Sequence, residues 1–102
     1  MKVYISGPMT GLEDLNFPAF YAAEERLLSE GFKVLNPARE DDKTKHLGIT
    51  DDWVREDYLR RDLILMLNNC DAIYLLKGWE DSWGANLELH NAEQLQFDIM
   101  YE

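Results

Sequence analysis

The chain has 102 residues, 46% of them hydrophobic and 12% aromatic, with 20 Asp and Glu against 10 Lys and Arg for a formal charge of −10. A chain of this length folds as one domain, residues 1–102, and hides roughly two-thirds of its unfolded surface; no apolar run approaches the roughly 18 residues of a membrane span. The charge argues against nucleic-acid backbones and anionic membranes as partners, and the single Cys70 rules out an internal disulfide.

Lys2-Val3-Tyr4-Ile5-Ser6 is a β-rich run closed by Gly7-Pro8, so it reads as a first strand and not as a signal peptide, and a cytosolic protein is expected. Asn16-Phe17-Pro18 opens a helix with Asn16 as N-cap and Pro18 in the first turn. Phe20, Ala23, Leu27 and Leu28 make its apolar stripe and Gly31 its C-cap. Phe32 to Leu35 is a second strand, ended by Asn36-Pro37. Residues 38–50 are polar and without a period, and are expected to be a loop.

Thr50 or Asp51 should cap the next helix, running from about Trp53 to Asn68 or Asn69 with Val54, Tyr58, Leu59, Leu63, Met66 and Leu67 inward. Residues 71–76, DAIYLL, form a third strand, apolar throughout as when both faces are covered. A helix follows from about Gly84 to Gln96, and residues 97–101 add a short last strand. Cys70 reads as a small core residue, and His46 and His90 as unrelated surface residues.

Alternating strands and helices predict a three-layer α/β/α fold, flavodoxin-like or Rossmann-like, with a parallel sheet of about four strands. With strand order 2-1-3-4, ligands bind where the order reverses, between the first and third strands. The loops leaving those strands are ISGPMTG and KGWEDSWGAN, so the two most unusual stretches of the sequence converge on one crevice.

In the first loop, Ser6, Gly7, Pro8, Met9 and Gly11 offer hydroxyl and backbone donors and let a ligand approach the main chain, although a tight turn alone would also want Gly-Pro. In the second, Gly78 and Trp79 lead to Ser82, which caps the helix or binds a ligand oxygen, while Gly84 and Ala85 leave space. Trp79 and Trp83 could stack on a base or pack at an interface. Glu88 shares a helical stripe with Ala85, Ala92 and Leu95 and so faces the core, where a carboxylate must be paired or employed. A carboxylate beside sugar-sized room suits a nucleophile or a stabiliser at an anomeric carbon. Asp62, four residues after Tyr58, is the candidate second carboxyl and proton donor; its alternative is an ion pair with Arg55, Arg60 or Arg61 on a solvated face. Tyr4 either orients a carboxylate or is a core residue. Neither a dinucleotide fingerprint nor a P-loop is present, and no residues have metal-ligand spacing, so neither metal nor cofactor is expected.

Tyr4 to Gly11, Asn16-Phe17-Pro18-Ala19-Phe20, Asn36-Pro37, residues 70–76, Gly78-Trp79-Glu80 and Ser82-x-Gly84-Ala85-x-x-Glu88 together resemble the DUF4406 family of phages and bacteria. That family is similar to the nucleoside 2-deoxyribosyltransferase superfamily. The resemblance implies a nucleoside or nucleoside 5′-monophosphate as the small-molecule partner, cleaved or exchanged at its N-glycosidic bond. Glu88 would be the nucleophile, with Tyr4 and Asp62 assisting and Ser82 at a 5′-phosphate. It also implies a homodimer or higher oligomer. Two other readings stay open: a nucleotide-binding module without catalysis, such as a phage accessory protein, and an acidic interaction protein.

Overall fold

The structure, a computed structural model, describes residues 1–102. Its elements run β1 (Lys2–Ser6), α1 (Phe17–Ser29), β2 (Lys33–Leu35), α2 (Pro37–His46), α3 (Arg55–Asn69), β3 (Ala72–Leu75), α4 (Trp83–Gln94) and β4 (Asp98–Tyr101), with 3₁₀ turns at Glu13–Asn16 and Trp79–Asp81. The strands form one sheet in the order β2-β1-β3-β4, and every neighbouring pair is parallel. This is the predicted small three-layer α/β fold.

Alternation along β1 divides the core. Val3 and Ile5 face one side and pack with Phe20, Ala23 and Leu27 of α1 and Ala38 of α2. Tyr4 faces the other side among Met66 of α3, Leu89 and Ala92 of α4 and Ile73 and Leu75 of β3. At the far end of the sheet Asp71 accepts the Lys2 backbone N–H at 2.9 Å. Cys70 is buried, and burial pushes its thiol up to about 11. No helix is long and apolar enough to cross a membrane.

The largest departure from the sequence reading is α2, which occupies most of the expected loop. Asn36 caps it by accepting the Ala38 N–H at 3.0 Å, and Pro37 fills its first turn. Glu40 sits near its positive end, and Lys43, Lys45 and His46 near its negative end. Only Pro37 and Ala38 are buried, so the helix has no apolar stripe for a periodicity argument to find.

Smaller corrections have equally local causes. Asn16 stands at the N-cap position of α1 as expected, but its side chain makes no capping bond: it is left-handed, as are Asp14 and Leu15, and its Nδ2 donates to the Pro8 carbonyl at 3.0 Å, tying this turn to the loop after β1. α1 ends as expected, with the Gly31 and Phe32 N–H groups returning to the Leu28 and Leu27 carbonyls, but Leu28 itself is exposed. α3 starts at Arg55 because the Asp57 carboxylate, not Thr50 or Asp51, takes the orphan Val54 N–H. Val54, just before the helix, is therefore outside the core, and Leu67 is exposed as well. Leu95 falls past the end of α4 and is exposed.

Candidate active site

β1 and β3 are neighbours at the reversal of strand order, and a cleft of about 840 Å³ opens beyond their carboxyl ends. That is within the usual size of a small-molecule site. Three helices contribute successive turns to it: Pro37, Asp41 and Lys45 from α2, Arg55, Tyr58, Leu59 and Asp62 from α3, and Gly84, Ala85 and Glu88 from α4. Each set follows the helical repeat, so each helix presents one face. The loop after β1 supplies Gly7, Pro8, Met9 and Thr10, and Leu15, Phe17 and Phe20 form an apolar corner.

Glu88 lies on the floor and is 6% exposed. The Tyr4 hydroxyl donates to its Oε2 at 2.6 Å and the Ser6 hydroxyl to its Oε1 at 2.6 Å. Both donors come from the same face of β1, because residues two apart on a strand point alike. Burial pushes the Glu88 carboxyl up to about 8, with the charge of Asp62 adding to the effect, while the Ser6 and Tyr4 hydrogen bonds pull it back. Two hydroxyls directed at two oxygens fix the carboxyl in position without neutralising it.

Asp62 is 9% exposed and paired with Arg61, whose Nε and Nη2 reach its Oδ1 at 3.0 and 2.7 Å. The expected ion pair is therefore real but buried, not on a solvated face. Arg61 also binds Asp41 of α2 and lies against the rings of Trp53 and Tyr58, 5.5 and 5.6 Å from their centroids. Burial raises the Asp62 carboxyl to about 6, with Arg61 opposing. The Glu88 and Asp62 carboxyls thus line one cleft, and the charge of Asp62 adds to the rise of Glu88.

Two glycines carry close approaches. A Cβ at Gly7 would stand 2.8 Å from Leu76 Cβ, and one at Gly84 would stand 3.0 Å from Leu59 Cδ2, where α4 meets α3 beside Glu88. Ser82 caps α4, its Oγ accepting the Ala85 N–H at 3.2 Å. Trp83 stands half out of the cleft with the Arg55 guanidinium 4.5 Å over its ring.

Tyr4, Gly7, Pro8, Met9, Asp62, Ser82, Gly84, Ala85 and Glu88 meet at the cleft. Ser6 sits behind Glu88, its hydroxyl turned to the carboxylate and away from the opening. Gly11, Gly78 and Trp79 are outside the lining: Gly78 backs onto Pro8, and the Trp79 ring packs on Tyr101 at 6.0 Å. The α2 wall, with Asp41, Asp42 and Lys45, and the Arg61 clamp were not anticipated as parts of a site. The Asn36-Pro37 cap was the one local signal that a helix would carry those charges into it.

Over residues 1–101 the chain matches the family described as Domain of unknown function (DUF4406), and it belongs to that family. No curated protein matches it.

Proposed function

We propose that the protein cleaves or exchanges the N-glycosidic bond of a nucleoside or nucleoside 5′-monophosphate, with Glu88 acting at the anomeric carbon. The observation that carries this reading is the setting of Glu88, a buried carboxyl on the floor of a ligand-sized cleft, held oxygen by oxygen by Tyr4 and Ser6. A core residue would not be given an opening, and a surface residue would not be held this way. The sequence likeness to the nucleoside 2-deoxyribosyltransferase superfamily supports the same assignment.

In this reading an ionised Glu88 attacks C1′, or stabilises the positive charge that develops there as the base departs. Tyr4 and Ser6 aim it. Asp62, the other buried carboxyl of the cleft, manages the proton. Gly84 lets α4 pack closely on Leu59, Ala85 keeps the lining beside Glu88 small, and Met9, Phe17 and Phe20 offer an apolar wall.

Incubation with ribo- and deoxynucleosides and their 5′-monophosphates, followed by chromatography for free base, tests the proposal. The wild type should release base from at least one of them, and Glu88→Ala should lower that rate by roughly three orders of magnitude or more. Release that survives the substitution would remove Glu88 from the chemistry. Nucleotide binding without release, equal in the two proteins, would leave a binding module.

A further inference from the structure

The leaving group that suits this cleft can be read from its charge and from the directions of its hydrogen bonds, on the premise of the glycosidic reading above. Six carboxyl groups line the cleft, those of Asp41, Asp42, Asp51, Asp62, Asp81 and Glu88, against two cationic side chains, Lys45 and Arg55. Arg61, behind the lining, answers Asp41 and Asp62, and Arg55 is shared with Glu56 at 3.3 Å. The surplus is negative however the pairs are assigned. The start of α4 does not reverse it, because Ser82 already caps that helix and Asp81 stands immediately before it.

The second observation concerns protons. Carboxylic acids and imidazoles are the usual donors to a departing base, and no histidine lines the cleft. The Tyr4 and Ser6 hydroxyls are both spent on Glu88. Asp62 receives both Arg61 bonds on Oδ1, an arrangement suited to its ionised form, and its Oδ2 has no protein donor. A neutral base leaving this cleft would have to draw its proton from Asp62, which the Arg61 pair holds toward the ionised form.

We propose that the cleft takes nucleosides whose base already carries a fixed positive charge, an N-glycosylpyridinium or N7-alkylpurine nucleoside without a 5′-phosphate, and that Asp62 serves as a base. The C1′–N bond breaks with its electron pair passing to the ring nitrogen, which becomes neutral and needs no proton. A Glu88 oxygen bonds to C1′. Water then attacks C1′, the bond to Glu88 breaks, and Asp62 Oδ2 takes the proton from water and passes it to solvent. One water is consumed, and the sugar, a neutral base and one proton are released. A cation beside Glu88 also favours the ionised carboxylate against the burial that opposes it, which a neutral nucleoside cannot do.

The test compares N7-methyladenosine with adenosine, and nicotinamide riboside with its 5′-monophosphate. Base is followed by chromatography and protons by an indicator dye, and each rate is divided by the spontaneous rate. The methylated nucleoside should show an enhancement in kcat/KM larger by about tenfold or more, with one proton per base. The 5′-phosphate should lower kcat/KM by about threefold or more, and Asp51→Asn with Asp81→Asn should narrow both ratios. Equal or greater enhancement for adenosine, or a preference for the monophosphate, overturns the charge proposal and leaves the glycosidic reading standing. No release from any of the four overturns the charge proposal, and the glycosidic reading falls with it only when the ribo- and deoxynucleoside panel above is silent as well.

Discussion

Glu88 on the floor of the cleft and Asp62 on its wall are buried to nearly the same depth, 6% and 9% exposed, yet their carboxyls are pushed up to about 8 and about 6. Two neutral hydroxyls hold Glu88, while a guanidinium holds Asp62. Burial raises both, but Arg61 pulls Asp62 back down, whereas Glu88 has no cation beside it and is raised further by the charge of Asp62. The same contrast extends to the elements that carry them. α4 and β1 meet through apolar packing and two short neutral hydrogen bonds, whereas α2, the wall opposite, is held by Asp41 to Arg61, Arg39 to Glu24 and Tyr21 to Asp42.

The strongest way to break this comparison is to remove Arg61. Arg61→Met leaves Asp41 and Asp62 buried without their cation and should cost about 3 kcal/mol in urea unfolding. The Asp62 carboxyl should rise further, because the one group lowering it is gone. A loss near zero would mean that the wall is not held by charge.

A smaller effect separates the two carboxyls by pH. The Glu88 carboxyl lies at about 8 in the folded protein against an ordinary 4.5, so between these values the folded state keeps a proton that the unfolded chain has given up. Its contribution to stability is complete below pH 4.5 and is lost as pH rises toward 8. Asp62 adds a decline of the same sign between 3.8 and about 6. Glu88→Gln should match the wild type near pH 4 and exceed it at pH 9 in thermal unfolding, while the acidic part of the decline persists. If wild type and variant fall in parallel above pH 6, Glu88 is not the group that titrates.

The smallest effect belongs to the outer pair. Arg39 is half exposed, its Nε 2.9 Å from Glu24 Oε1 and its guanidinium 4.9 Å over the Tyr21 ring. Arg39→Met should cost about 1 kcal/mol or less, and most of that difference should vanish in 1 M salt. A loss that is large and indifferent to salt would place α2 in the same class as the floor.

What the sequence made legible follows the same division. Strands β1 and β3, the inward face of Glu88 and Ser82 as a cap candidate all rest on apolar period, Gly-Pro punctuation and local capping, which are written in neighbouring residues, whereas the order of the sheet entered only as an assumption. Tyr4 and Ser6 were on the right strand, but that both would turn to one carboxyl 82 and 84 residues away is a matter of register. α2 was missed because it buries a single turn and is held by partners on α1 and α3. Asp62 kept two readings for the same reason. Its neighbour Arg61 is visible in the sequence, but the rings of Trp53 and Tyr58 that bury the pair are brought there by the fold.

The two hydrogen bonds on Glu88 join the first strand to the last helix. During synthesis β1 emerges long before α4, so its Tyr4 and Ser6 hydroxyls remain in water until nearly the whole chain is available. Contacts of such separation are among the last whose loop-closure cost is repaid, and a domain rich in them folds more slowly than one built on local turns. The carboxylate thus acquires its aim only when the sheet is nearly complete, and a partly folded chain holds the cleft's elements without the arranged carboxyl at its floor.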